Sequence, residues 1–108
     1  MNPTEAQKKL AQKLGVGYDP ATTAEQLLVK LVNRIKKLSQ DALAARSEIR
    51  SGGVVEFNGH RYVVTGIGAN RCTVDLEPLS DGEAQSILIL TLTGTLQPGD
   101  EIAVRIPK

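Results

Sequence analysis

The chain has 108 residues, 41% of them apolar, and a formal net charge of +1; that suits one small domain with a modest core and excludes a polyelectrolyte. Aromatic residues make up 3%, namely Tyr18, Phe57 and Tyr62, too few for a ring-stacking platform for single-stranded nucleic acid. Cys72 is the only cysteine, which excludes an intrachain disulfide and any metal site built on several thiolates.

The predicted elements follow in chain order. "NPTEAQKKLAQKL", residues 2–14, reads as a short helix with Asn2 as cap, Pro3 at the first position and Glu5 in its first turn. Gly15 is its stop. "GVGYDPA" at 15–21 is a turn-rich connection. Thr22 with Glu25 three residues on opens a second helix by a capping-box pattern. That helix is expected from about Thr23 to Arg50, ending at Gly52-Gly53, with a length of about 40 Å.

From Val54 the period falls to two. "VVEFNGHRYVV" reads as a hairpin turning at Asn58-Gly59. "RCTVDLEPL" is a strand with Cys72, Val74 and Leu76 on one face. "SILILTLTGTL" reads as one long strand, with Leu88, Leu90, Leu92 and Leu96 facing one way. "EIAVRI" is the closing strand, with Ile102, Val104 and Ile106 inward. The expected fold class is α+β: a short helix, a long heptad helix forming a coiled-coil stem, then a small all-β barrel or sandwich of about five antiparallel strands. Residues 1–51 would be the helical oligomerisation and anchoring region, and 52–108 the β head.

The long helix carries the most informative pattern. Leu28, Leu31, Ile35, Leu38, Ala42, Ala45 and Ile49 are spaced 3, 4, 3, 4, 3, 4, a heptad series that implies a partner helix. The first helix is too short to cover it. Asp41 and Arg46 have the spacing of an ion pair between parallel chains. These residues predict self-association, a parallel homotrimer before a dimer because apolar Leu27 and Val32 widen the stripe; the alternative is packing within one chain, with the helix folded back across the β half at Gly52-Gly53.

Charge is divided unevenly. Residues 1–50 hold nine basic and five acidic side chains, residues 51–108 four and seven, which suggests two jobs. Lys8, Lys9 and Lys13, with Leu10 and Leu14 beside them, are the candidate partner-binding set. Lys30, Arg34, Lys36 and Lys37 read as the solvated outer face of the long helix. His60 has no companion for metal or acid–base work. Cys72 reads as a small buried hydrophobe. "TGIGANR" matches no phosphate loop. The pattern therefore predicts no enzyme, no cofactor and no metal. Lysines interrupt any signal-peptide core, and the longest apolar run is far too short to span a membrane, so neither secretion nor membrane insertion is expected.

A short helix, a heptad stem, a Gly-Gly hinge and a compact β head resemble, in layout, the small virion accessory proteins of tailed bacteriophages, the capsid decoration and head-fibre proteins. The resemblance implies a trimeric structural protein of the virion, or of the cytoplasm of the producing cell, attached to a larger assembly by its N-terminal part. It transfers no site residue. The competing expectation is a nucleic-acid- or ribosome-associated β-barrel module with basic helices, against which stand the acidic β half and the scarcity of rings. A third is an adaptor that oligomerises by its helix and binds peptide at its head.

Overall fold

A computed structural model describes residues 1–104, which form two helices followed by a four-stranded antiparallel sheet. Helix α1 spans Glu5–Leu14 and α2 spans Ala24–Ala45. Strands β1 (Val54–Phe57), β2 (His60–Ile67), β3 (Thr73–Pro78) and β4 (Gln85–Leu88) pair in chain order as a meander. A helical turn, Ile89–Leu92, and a 3-10 segment, Pro98–Ala103, follow.

Both helices start one or two residues later than their first capping pattern suggests. Thr4 caps α1, its hydroxyl accepting the Gln7 N–H at 3.1 Å, while Gln7 Oε1 accepts the Thr4 N–H at 3.0 Å. Thr23 and Gln26 make the same reciprocal box on α2. Thr22 instead closes the connecting turn with Asp19, whose carboxylate also accepts the Ala21 N–H at 2.8 Å. Two threonines in a row offered two caps, and the turn takes the first. Gly15 ends α1 in the left-handed region, as its position predicted.

The long helix is shorter than expected. It stops at Ala45, 22 residues and about 33 Å, not at Arg50. Residues 46–53 turn instead, because the sheet claims their backbone: Gly52 N–H donates to Val64 O at 2.7 Å and Val64 N–H to Gly53 O at 2.8 Å. A side chain at position 53 would collide with the Glu48 carbonyl, so the turn requires glycine there.

The heptad stripe is covered within the chain, which corrects the expectation of a coiled-coil stem. Leu31 and Ile35 are 0% exposed and Ile49 is 3% exposed. Leu28, Leu38 and Ala42 are half-buried, and only Ala45 of the series is exposed. The buried ridge itself runs Leu27, Leu31, Ile35, Ser39, a step of four that an ordinary straight helix presents to one flat neighbour. Helix α1 is indeed too short to cover the whole stripe. The remainder is covered by the chain that leaves β4: Leu88, Leu90, Leu96 and Val104 join Leu10, Leu14, Leu27, Leu31 and Ile35 in one core. The physical reason for a partner helix is thereby removed.

A second core lies under the sheet, where Val55, Phe57, Tyr62, Val64, Val74, Leu76 and Ile87 meet Ile49, Ile89 and Leu92. The Asn58-Gly59 hairpin forms as predicted, both residues at positive φ (52° and 78°). A bulge between Val64 and Gly66 bends β2.

Two expected strands are corrected. "SILILTLTGTL" pairs only to Leu88, and residues 89–92 wind into a helical turn. Strand β3 starts at Thr73, so Ile89, bonded to Cys72 O at 2.8 Å, is the last residue with a ladder partner. Beyond it the backbone satisfies itself, Thr93 N–H donating to Ile89 O at 3.0 Å. The run remains buried on both sides: Leu88 and Leu90 enter one core, Ile87, Ile89 and Leu92 the other. The closing strand is replaced over Pro98–Ala103 by the 3-10 segment, and Ile102 points outward at 82% exposure. Val104 is buried as expected, while Ile106 lies outside the described residues. Among the described residues the sheet therefore has four strands, not five.

A stem seam and an internal core give Ile35→Asp different fates. At a stem seam the substitution would yield a folded monomer. With Ile35 inside the core, it buries an unpaired carboxylate and should cost more than about 4 kcal/mol, enough to unfold the chain. Circular dichroism with thermal melting checks this: loss of the cooperative transition is expected.

Candidate interaction surfaces

Two basic side chains of α2 hold the end of α1 against it. Arg34 Nε donates to the Leu14 carbonyl at 3.0 Å and Lys30 Nζ to the Gly17 carbonyl at 3.3 Å. Both cations sit at the C-terminal end of α1, where unpaired carbonyls carry partial negative charge. Lys37 pairs with Asp41 one turn on, at 3.0 Å, so Asp41 is engaged within its own helix. Arg46 bonds Glu48 at 2.7 Å instead of reaching another chain. Lys9 and Lys36 are exposed and have no acidic partner among the described residues.

The candidate partner-binding set is divided by the structure. Leu10 and Leu14 are 0% and 3% exposed, so they serve the core and offer a partner nothing. Lys13 reaches 87 positions along the chain to Asp100, Nζ to Oδ2 at 2.6 Å, and ties the 3-10 segment to α1. Lys8 is half-buried beside Glu5 at 3.4 Å, and Lys9 faces out. Of the set, Lys9 alone has neither a place in the core nor an ion pair among the described residues.

Lys8 also lines a cleft that sequence reasoning missed. It has a volume of about 360 Å³ and is walled by Pro3, Tyr18, Asp19, Pro20 and Thr22. The Met1 carbonyl accepts the Ala24 N–H at 2.7 Å, and Gln7 Nε2 donates to Ala24 O at 3.3 Å, so the cleft walls are cross-linked. Tyr18 is 42% exposed. The signal for it was a lone aromatic in a Gly/Pro turn, which the helical periodicity overshadowed.

Cys72 sits where α2 meets the start of β3. It is fully buried, its Sγ lies 3.5 Å from Asn70 O, and the Ser39 hydroxyl faces it without a satisfied hydrogen bond. Burial pushes its thiol pKa up, against smaller opposing effects of Ser39 and Lys36. A protonated, inaccessible thiol is a poor nucleophile. His60 is exposed at the hairpin tip. Among the described residues no three His, Cys, Asp or Glu side chains converge as metal ligands, and no helix is long and apolar enough to cross a membrane.

Asp100 shows how the charges work. Burial acts to raise its pKa, but the bonds from Lys13 and from Gln97 N–H outweigh it, and the carboxyl is held below its usual value. No protein-family model matches the chain, and neither does any curated protein or solved structure.

These two shifted groups act on stability with opposite signs. A folded-state pKa below the unfolded one gives stability that is present above the unfolded value and lost as pH falls through the folded one. Asp100→Asn should therefore cost about 0.5–1 kcal/mol at neutral pH and flatten the acid limb of the stability curve, measured by urea unfolding at successive pH values. For Cys72, above its unfolded pKa the unfolded chain releases the proton first, so stability falls as pH rises. Cys72→Ala should lessen that alkaline fall, and a thiol reagent should label native Cys72 only as fast as the protein opens.

Proposed function

We propose that the protein is a non-enzymatic structural component that attaches to a larger protein assembly, of the bacteriophage capsid-decoration or head-fibre kind, with the virion as its place of action. The observation that carries this reading is the cleft at the foot of the helices. It joins an exposed tyrosine and two prolines to a lysine on a cross-linked frame. Rigid aromatic and proline surface costs little entropy to dock, and tyrosine is a favoured anchor of protein interfaces. Lys8 lines the cleft with Asp19, and Lys9, the next residue, is exposed; the two lysines suit an acidic surface.

In this reading attachment, not helix pairing, is the working contact. The sheet with its following helical turn is the β head, held away from the docking end in a molecule 48 Å long. Trimerisation through the stripe would require Leu31 and Ile35 to leave their own core.

Co-sedimentation with intact particles purified from the producing cells tests the proposal. Tyr18→Ala combined with Lys8→Ala should lower the bound fraction by about tenfold or more, in line with the loss of an anchor worth about 2 kcal/mol, while the melting temperature stays within a few degrees. Undiminished binding of the double variant, or no binding by the wild type, contradicts it.

A further inference from the structure

The two edges of the sheet are treated differently. At the β4 edge the Leu88 N–H, which has no strand to pair with, donates to Glu101 Oε1 at 3.3 Å. A carboxylate from the 3-10 segment thus covers that edge. Among the described residues the β1 edge has no such cover. In the two-residue hairpin Phe57 and His60 face each other as a bonded pair, and so do Val55 and Tyr62; Val64 N–H donates to Gly53 O. Val54 and Glu56 therefore direct their N–H and C=O groups away from β2, and no described residue bonds them.

Beside this edge lies a cleft of about 240 Å³ between β1 and residues 91–98. Its walls are Phe57, Leu92, Leu96 and Pro98. Thr91 also lines it; the residue is 2% exposed, and its hydroxyl has no hydrogen-bond partner. A buried hydroxyl left unpaired costs free energy that an incoming polar group would recover. Among the described residues Glu56, exposed at the rim, is the one charged side chain lining the cleft, and it makes no ion pair.

We propose that this edge and cleft form a strand-acceptor site for an extended cationic segment of a partner protein, in which a lysine or arginine is flanked by apolar residues. The segment's backbone pairs with the outward groups of Val54 and Glu56, as an added strand does. Alternation then places the cation on the outer face opposite Glu56 and its apolar neighbours over Phe57, Leu92 and Leu96. Charge selects the occupant: residues 51–108 hold seven acidic side chains against four basic ones, which favours a cation and disfavours nucleic acid. This site is distinct from the docking cleft at the helical end and does not depend on it.

The test uses the full chain labelled with nitrogen-15 and an end-capped synthetic peptide of alternating valine and lysine. Amide shifts are expected at residues 54–58 and 91–98, with a valine–glutamate peptide binding at least about tenfold more weakly. Glu56→Pro removes one outward N–H without breaking a bond to β2, a position where an edge strand tolerates proline. It should stay folded and lose binding about tenfold or more. Should that variant fail to fold, Glu56→Lys keeps the backbone donor and is expected to shift preference to the glutamate peptide. No shifts at millimolar peptide, shifts centred elsewhere, a folded Glu56→Pro that binds as wild type, or a Glu56→Lys that still prefers lysine would each overturn the proposal. Concentration-dependent shifts at 54–58 without peptide would overturn it too, because the occupant would then be a second copy.

Discussion

Leu31 and Ile35 touch both halves of the molecule at once. They share one core with the leucines of α1 and with Cys72, Leu88, Leu90 and Leu96. Neither neighbour is stable alone. A ten-residue helix is too short to persist in water, and a four-stranded meander with one apolar face needs a cover. The helix lies on the first core and reaches the second only at its end, through Ala42 and Leu43, while Ile49, Ile89 and Leu92 cover the sheet. Burial of side chains of this size is worth roughly 1.5–3 kcal/mol each, so the ridge carries a large share of a stability that is small in total.

The polar links reinforce the same arrangement. Arg34 and Lys30 hold the end of α1 against α2, and Lys13 draws Asp100 onto α1. These bonds join positions far apart in sequence but adjacent in the fold. Each exposed pair is weak; their effect is to fix which face of α1 meets α2 and where the 3-10 segment lies. That segment in turn places Glu101 on the β4 edge, so a charge on the first helix bears indirectly on which sheet edge stays open.

Local features were legible in the sequence wherever the chemistry was local. The Asn58-Gly59 turn, the Gly15 stop, and the inward Val74 and Leu76 all follow from adjacent residues. What misled was a spacing. Residues at 3 and 4 fit a coiled coil, but the same residues fit a helix laid across one continuous apolar floor when that floor is wide. The floor is built from Leu88, Leu90 and Leu96, which as a period-2 pattern looked like one face of a strand. A run that is apolar on both faces needs burial on both sides, and it becomes a bridge between cores where no ladder partner remains. The docking cleft was harder to read still, since Tyr18 and Pro20 acquire meaning only beside Pro3 and Lys8.

Both halves of the fold require the α2 ridge to be covered within one chain. Amide hydrogen exchange of residues 27–39, followed across a hundredfold range of protein concentration, tests this most directly. A ridge buried inside each molecule gives protection that is independent of concentration and close to the global stability. Protection that rises with concentration would mean that another chain covers Leu31 and Ile35, and would contradict an internally covered ridge.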